Sequence, residues 1–140
     1  MTISKHHLLA SALLAAAALI AAFAISASAA APLKITNCNK AASRPSLLTL
    51  TCGDGNTVLK GLRWSSFGAA TAQAKGTFVT NTCEPNCAEG KDVSYPVKVK
   101  ATGTLKCKGG VTVYGKLALQ FTGRAPGSNI PRSWKFTCPV

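Results

Sequence analysis

The chain has 140 residues, with sixteen Lys/Arg against four Asp/Glu and a formal charge of +12; 47% of it is hydrophobic and 14% charged. Both histidines, His6 and His7, lie at the start, so no serine–histidine triad and no histidine-ligated metal site can form downstream of residue 30. An excess of cations this large draws a protein to polyanions, and it also simply keeps a small domain soluble and monomeric.

Residues 1–30 read as an export signal. Lys5, His6 and His7 give a basic start, residues 8–25 are almost unbroken apolar chain, and Ala27-Ser28-Ala29 fits the pattern a signal peptidase cuts. Cleavage is expected after Ala29 or Ala30. An apolar run of about 20 residues is also long enough for an uncleaved anchor, but alanine is weakly apolar and the small-residue box is well formed. Membrane contact is therefore expected only through this segment, before cleavage. Without it, fifteen cations face Asp54, Glu84, Glu89 and Asp92, a formal charge of +11. The rest of the chain, about 110 residues, is the size of one domain. It divides into a polar lead-in, 31–45, and a single β domain, 46–140.

The lead-in reads as loop and carries Cys38. Residues 46–52 are rich in Leu and Thr. Together with 57–64 they flank Gly53-Asp54-Gly55-Asn56, the signature of a β-hairpin. Asp54, between two glycines, suits an Asx-type turn better than a calcium cage. Residues 76–80 suit a strand, while 69–74 fit a single helical turn as well as an extended run. Residues 81–92 give the longest loop signal. Tyr95, Val97, Val99 and Ala101 then alternate with Lys98 and Lys100. Leu105 and Cys107 share a face, with Lys106 and Lys108 opposite or flanking, and Gly109-Gly110 makes a turn. Val111, Val113, Leu117, Leu119 and Phe121 keep period two, with Gly115 as a bulge or close-packing point. Residues 124–132 form a loop, and Trp134, Phe136 and Cys138 line the inner face of a last strand. Trp64 and Trp134, both in alternating contexts, are expected as core anchors rather than stacking platforms. About seven short strands, with no sustained 3.6-residue period outside the leader, predict an all-β domain, a small antiparallel β-sandwich or barrel.

Six cysteines downstream of an export signal predict structural disulfides. Cys107 and Cys138 sit on inward faces of late strands and are expected to pair. A local Cys83–Cys87 loop and a Cys38–Cys52 link complete one of the fifteen connectivities that six cysteines allow. Zinc or redox chemistry at Cys83 and Cys87 fits less well, because no histidine accompanies them and the spacing is not C-x-x-C. No metal and no cofactor are expected.

Four stretches carry a resemblance: Thr51-Cys52-Gly53-Asp54-Gly55-Asn56, Leu62-Arg63-Trp64-Ser65-Ser66-Phe67-Gly68, Asn81-Thr82-Cys83-Glu84-Pro85-Asn86-Cys87-Ala88-Glu89-Gly90 and Tyr95-Pro96-Val97-Lys98-Val99. Together, over residues 46–100, the chain resembles a group of small secreted actinobacterial proteins of uncharacterised function. The resemblance implies export, a compact domain and an envelope or extracellular setting. It brings no activity and no catalytic residues. Cys38, Cys107 and Cys138 fall outside it, so their pairing is not carried over.

The expected function is a non-enzymatic binding or interaction module at the cell envelope or outside the cell. Lys98, Lys100, Lys106, Lys108, Lys116 and Lys135 fall at outward positions of late strands and are expected to form one basic face. Lysine is also a common surface residue, but the scarcity of acids favours an anionic envelope polymer as the partner of that face. Nucleic acid fits less well, since aromatic residues do not interleave with these lysines. One alternative is an inhibitor or effector that binds an extracellular enzyme through Glu84, Pro85 and Asn86 of the Cys83–Cys87 loop. The other is a hydrolase using Glu84, Glu89 or Asp92, which the sharing of one loop disfavours.

Overall fold

The computed structural model describes residues 31–140; the export signal read in residues 1–30 lies outside them. The strands are β1 (Ile35–Asn37), β2 (Lys40–Ala42), β3 (Leu48–Thr49), β4 (Thr57–Ser66), β5 (Thr71–Asn81), β6 (Asp92–Lys106), β7 (Thr112–Phe121) and β8 (Ser133–Lys135). Among the described residues the only helical turn is a 3-10 turn at Lys108–Gly110. Strands β3 to β8 follow one another as an antiparallel meander of six, and β1 and β2 form a separate two-stranded sheet. The all-β, disulfide-stabilised reading therefore holds, as a curled six-stranded sheet with a small companion.

The clean alternation of residues 95–101 is realised in β6, where Tyr95, Val97, Val99 and Ala101 are buried and Lys98 and Lys100 exposed. Their cross-strand neighbours continue the core: Val99 lies opposite Ala74 and Leu119, and Ala101 opposite Ala72 and Leu117. Phe78 anchors the cluster with Tyr95, Phe121 and Trp134 around it. Trp134 is partly buried against this core, as is Trp64, whose indole N–H donates to Pro45 O at 2.9 Å.

Two readings change, and two open alternatives resolve. The run at 95–101 and Leu105 belong to one long strand, β6, which ends at Lys106 just before Cys107. Residues 71–74 are extended and open β5 rather than forming a helical turn. At Gly115 the close-packing alternative holds rather than the bulge: the β6–β7 register runs unbroken past it, and the Leu105 side chain packs against it.

The lead-in, finally, is not loop. It folds as the β1–β2 hairpin, with Ile35 0% exposed in the core. This hairpin ties the two ends of the curled sheet together. Asn37 donates to Leu47 O and accepts from Thr49 N beside β3. Lys34 exchanges backbone hydrogen bonds with Thr112 and Tyr114 of β7, and Thr36 Oγ1 donates to Thr137 O at 2.8 Å.

Three disulfides join Cys38 to Cys52, Cys83 to Cys87 and Cys107 to Cys138. The first pins the β1–β2 hairpin to the chain after β3. The last pins the end of the chain to the end of β6.

Candidate polyanion-binding face

One event in β4 decides what the outer face carries. Leu59 points into the core, so strict alternation would turn Gly61 and Arg63 inward and leave Leu62 in water. The register instead slips between Lys60 and Arg63: Lys60 lies opposite Thr77, but Arg63 lies opposite Lys75. This β-bulge is absorbed at Gly61, whose φ of +61° is a conformation that side-chain-bearing residues rarely adopt. The slip lets both Leu59 and Leu62 face the core and sends Arg63 outward. Gly76 on β5 makes room for it, because a Cβ there would sit 2.9 Å from Lys60 O and from a Leu62 methyl.

Arg63, Lys75 and Lys98 then stand side by side on β4, β5 and β6. Lys100 follows on β6, and Lys116 of β7 pairs with Lys135 of β8 at the level of Thr102. All six are exposed. They trace one diagonal band across five strands, four strand spacings wide and four residues deep. At ~4.8 Å per strand and ~3.3 Å per residue this is about 23 Å of curved surface. No aspartate or glutamate occurs in β4, β5, β7 or β8, and β6 holds only Asp92, at its first position. Three like-charged pairs thus sit directly opposite one another, each destabilising by about 0.2–1 kcal/mol.

The band is indented. A groove of about 520 Å³ is lined by Arg63, Lys75 and Lys98 with Thr77, Thr122 and Gly61. A second hollow of about 270 Å³ lies between Lys98, Lys100, Gln73 and Gln120. A third, of about 190 Å³, lies beside Ser65, Lys75 and Lys98. Lys98 borders all three.

Of the six lysines expected to share a face, the structure brings Lys98, Lys100, Lys116 and Lys135 together. Lys106 and Lys108 sit elsewhere, at the far end of β6 and in the following turn, beside Cys107, Cys138 and Val140. Gly103, at φ +67°, lies between them and the band. Arg63 and Lys75 were missed. Lys75 follows from extending β5 back to Thr71. Arg63 needed the bulge, whose one sequence signal is Gly61 between two inward leucines.

The acids gather at one end of the sheet. Asn56 N donates to Asp54 Oδ1 at 3.0 Å, the expected Asx turn, and this hydrogen bond holds the Asp54 carboxyl below the usual aspartate range. The 82–91 loop abuts that turn through Asn81 N to Asn56 O. Glu84, Pro85 and Asn86 are exposed on it. Asn86 Oδ1 accepts from Ala88 N and Glu89 N, and its amide donates to Glu89 Oε2 at 2.8 Å. Asp92 Oδ1 accepts a long contact from Asn81. Both sulfurs of Cys83 and Cys87 are spent in their disulfide.

No protein-family model, no curated protein and no solved structure matches this chain. Three disulfides are consistent with an oxidising compartment, and no helix among the described residues is long and apolar enough to cross a membrane.

Proposed function

We propose that this is an exported, non-enzymatic β module that binds an anionic polymer at the cell envelope or outside the cell, through Arg63, Lys75, Lys98, Lys100, Lys116 and Lys135. The observation that carries the reading is the opposed row of cations without a carboxylate among them. Such an arrangement costs stability in the free protein, and an anion laid along the band relieves it. The export signal read in residues 1–30, the resemblance to secreted proteins and the three disulfides support the location.

The test is retention on an immobilised anionic polymer. Neutralising Lys98, Lys100 and Lys116 to glutamine should lower the eluting salt concentration more than neutralising Lys40, Lys106 and Lys108, an equal loss of charge at exposed positions off the band. The off-band variant should keep stability within about 0.5 kcal/mol, and the band variant should be no less stable than wild type, since it removes two opposed like-charged pairs. Differences should fade toward about 1 M salt, where the Debye length is near 3 Å. Equal losses would mean that net charge alone matters, and the face would be refuted.

The closed loop supports a second reading, docking onto an extracellular enzyme. The Cys83–Cys87 link and the Asn86 hydrogen bonds order an exposed tip, so little entropy is lost when it binds. Binding of that kind would persist at high salt.

A further inference from the structure

We infer that the groove beside the β4 bulge is a subsite for a phosphoryl group, so that the polymer on the band is one that carries phosphate rather than carboxylate. This rests on the polyanion reading above and narrows it. Arg63 is the only arginine of the band. The fold commits a positive-φ glycine, Gly61, and a glycine without room for a Cβ, Gly76, to bring it out next to Lys75. Bulges concentrate where a side chain must be re-aimed at a site.

What the bulge assembles is a set of donors from three adjacent strands and from Thr122, just after β7, around one hollow. There is the planar fork of Arg63, the point charges of Lys75 and Lys98, and the hydroxyls of Thr77 and Thr122. A carboxylate offers two oxygens in one plane; with the Arg63 fork on two of its lone pairs, the remaining pairs stay in that plane, where only donors lying in the plane meet them well. A phosphoryl group spreads its charge over oxygens in a tetrahedron and accepts from a fork and from point charges at once. The donor set fits the second geometry.

The experiment measures binding of the wild type, Arg63→Lys, Arg63→Gln and Lys135→Gln to poly(glycerol phosphate) and to polygalacturonate, with thermal unfolding as a folding control. Arg63→Lys keeps the charge and loses the fork. It should weaken poly(glycerol phosphate) binding about tenfold, the loss of roughly one charge-assisted hydrogen bond, and weaken polygalacturonate binding by clearly less. Lys135→Gln, outside the groove, should weaken both polymers alike. Competition by glycerol 3-phosphate would assign the subsite to phosphomonoesters. Failure of that competitor, with the polymer still bound, would assign it to the diester chain. If Arg63→Lys binds as wild type while Arg63→Gln and Lys135→Gln fall together, the band stands and the subsite is overturned. Equal sensitivity of both polymers to Arg63→Lys overturns the phosphoryl assignment. If the wild type retains neither polymer, the subsite and the polyanion reading fail together.

Discussion

Replacing Tyr114 with phenylalanine separates the observed packing from the one that alternation suggests. Leu117 and Leu119 face the core, so strict period two would place Tyr114 on the outer face. It is instead 0% exposed. Its hydroxyl accepts from Gly68 N at 2.9 Å and donates to Ala69 O at 2.8 Å, and its ring stands edge-on to Phe67 at 5.5 Å. Phenylalanine keeps the ring and removes both hydrogen bonds, leaving one backbone donor and one backbone acceptor without partners. A buried group left unpaired costs about 1–3 kcal/mol, so a loss of about 2 kcal/mol is expected. With an unfolding entropy of ~2.1 cal/mol/K per residue over about 110 residues, each kcal/mol moves Tm by about 4 °C, giving a drop of about 9 °C. Urea unfolding should show a lower midpoint with an unchanged slope, because the surface exposed on unfolding is the same. A change within about 0.5 kcal/mol, the size of an ordinary surface substitution, would refute the buried placement.

The three disulfides should differ in worth with the length of chain they close. Loop-closure entropy over separations of 31, 14 and 4 residues predicts losses of about 4, 3 and 2 kcal/mol for the paired cysteine-to-serine variants; denaturant titration of the three double variants should reproduce that order. Asp54→Ala should lower Tm at neutral pH, because the Asn56 N–H bond favours the ionised carboxylate. A depressed carboxyl contributes stability above its unfolded pKa and loses it as pH falls through the folded value, so the gap to wild type should be full above about pH 5 and narrow below about pH 4, as thermal melts across that range would record.

Fold class was legible because its signals are periodic or punctuated. β6 spells out its alternation over seven residues, and the hairpin at 53–56 is announced by two glycines, Asp54 and Asn56. Three-residue strands offer no period to read, which is why β1 and β2 passed for loop. Ile35 stands between Lys34 and Thr36 in sequence, and only the core cluster it joins in the fold marks it as buried. The site was half legible for a related reason. Lys98 and Lys100 inherit their direction from clean alternation, whereas Arg63 lies where the phase breaks, in β4 at Gly61. A phase break is a property of a strand pair, and one strand's residues do not encode it.

The β1–β2 hairpin also sets an order of assembly. Its near partners are Leu47, Thr49 and Cys52, while its far ones are Thr112 and Tyr114, through Lys34, and Thr137, 101 residues away from Thr36. The segment at the front of the domain can thus meet β3 early, but its seat is complete only when the last strands exist. Non-local closure of this kind slows folding, and it leaves the seating of the hairpin waiting on the final residues of the chain while the sequential strands of the meander already have their neighbours.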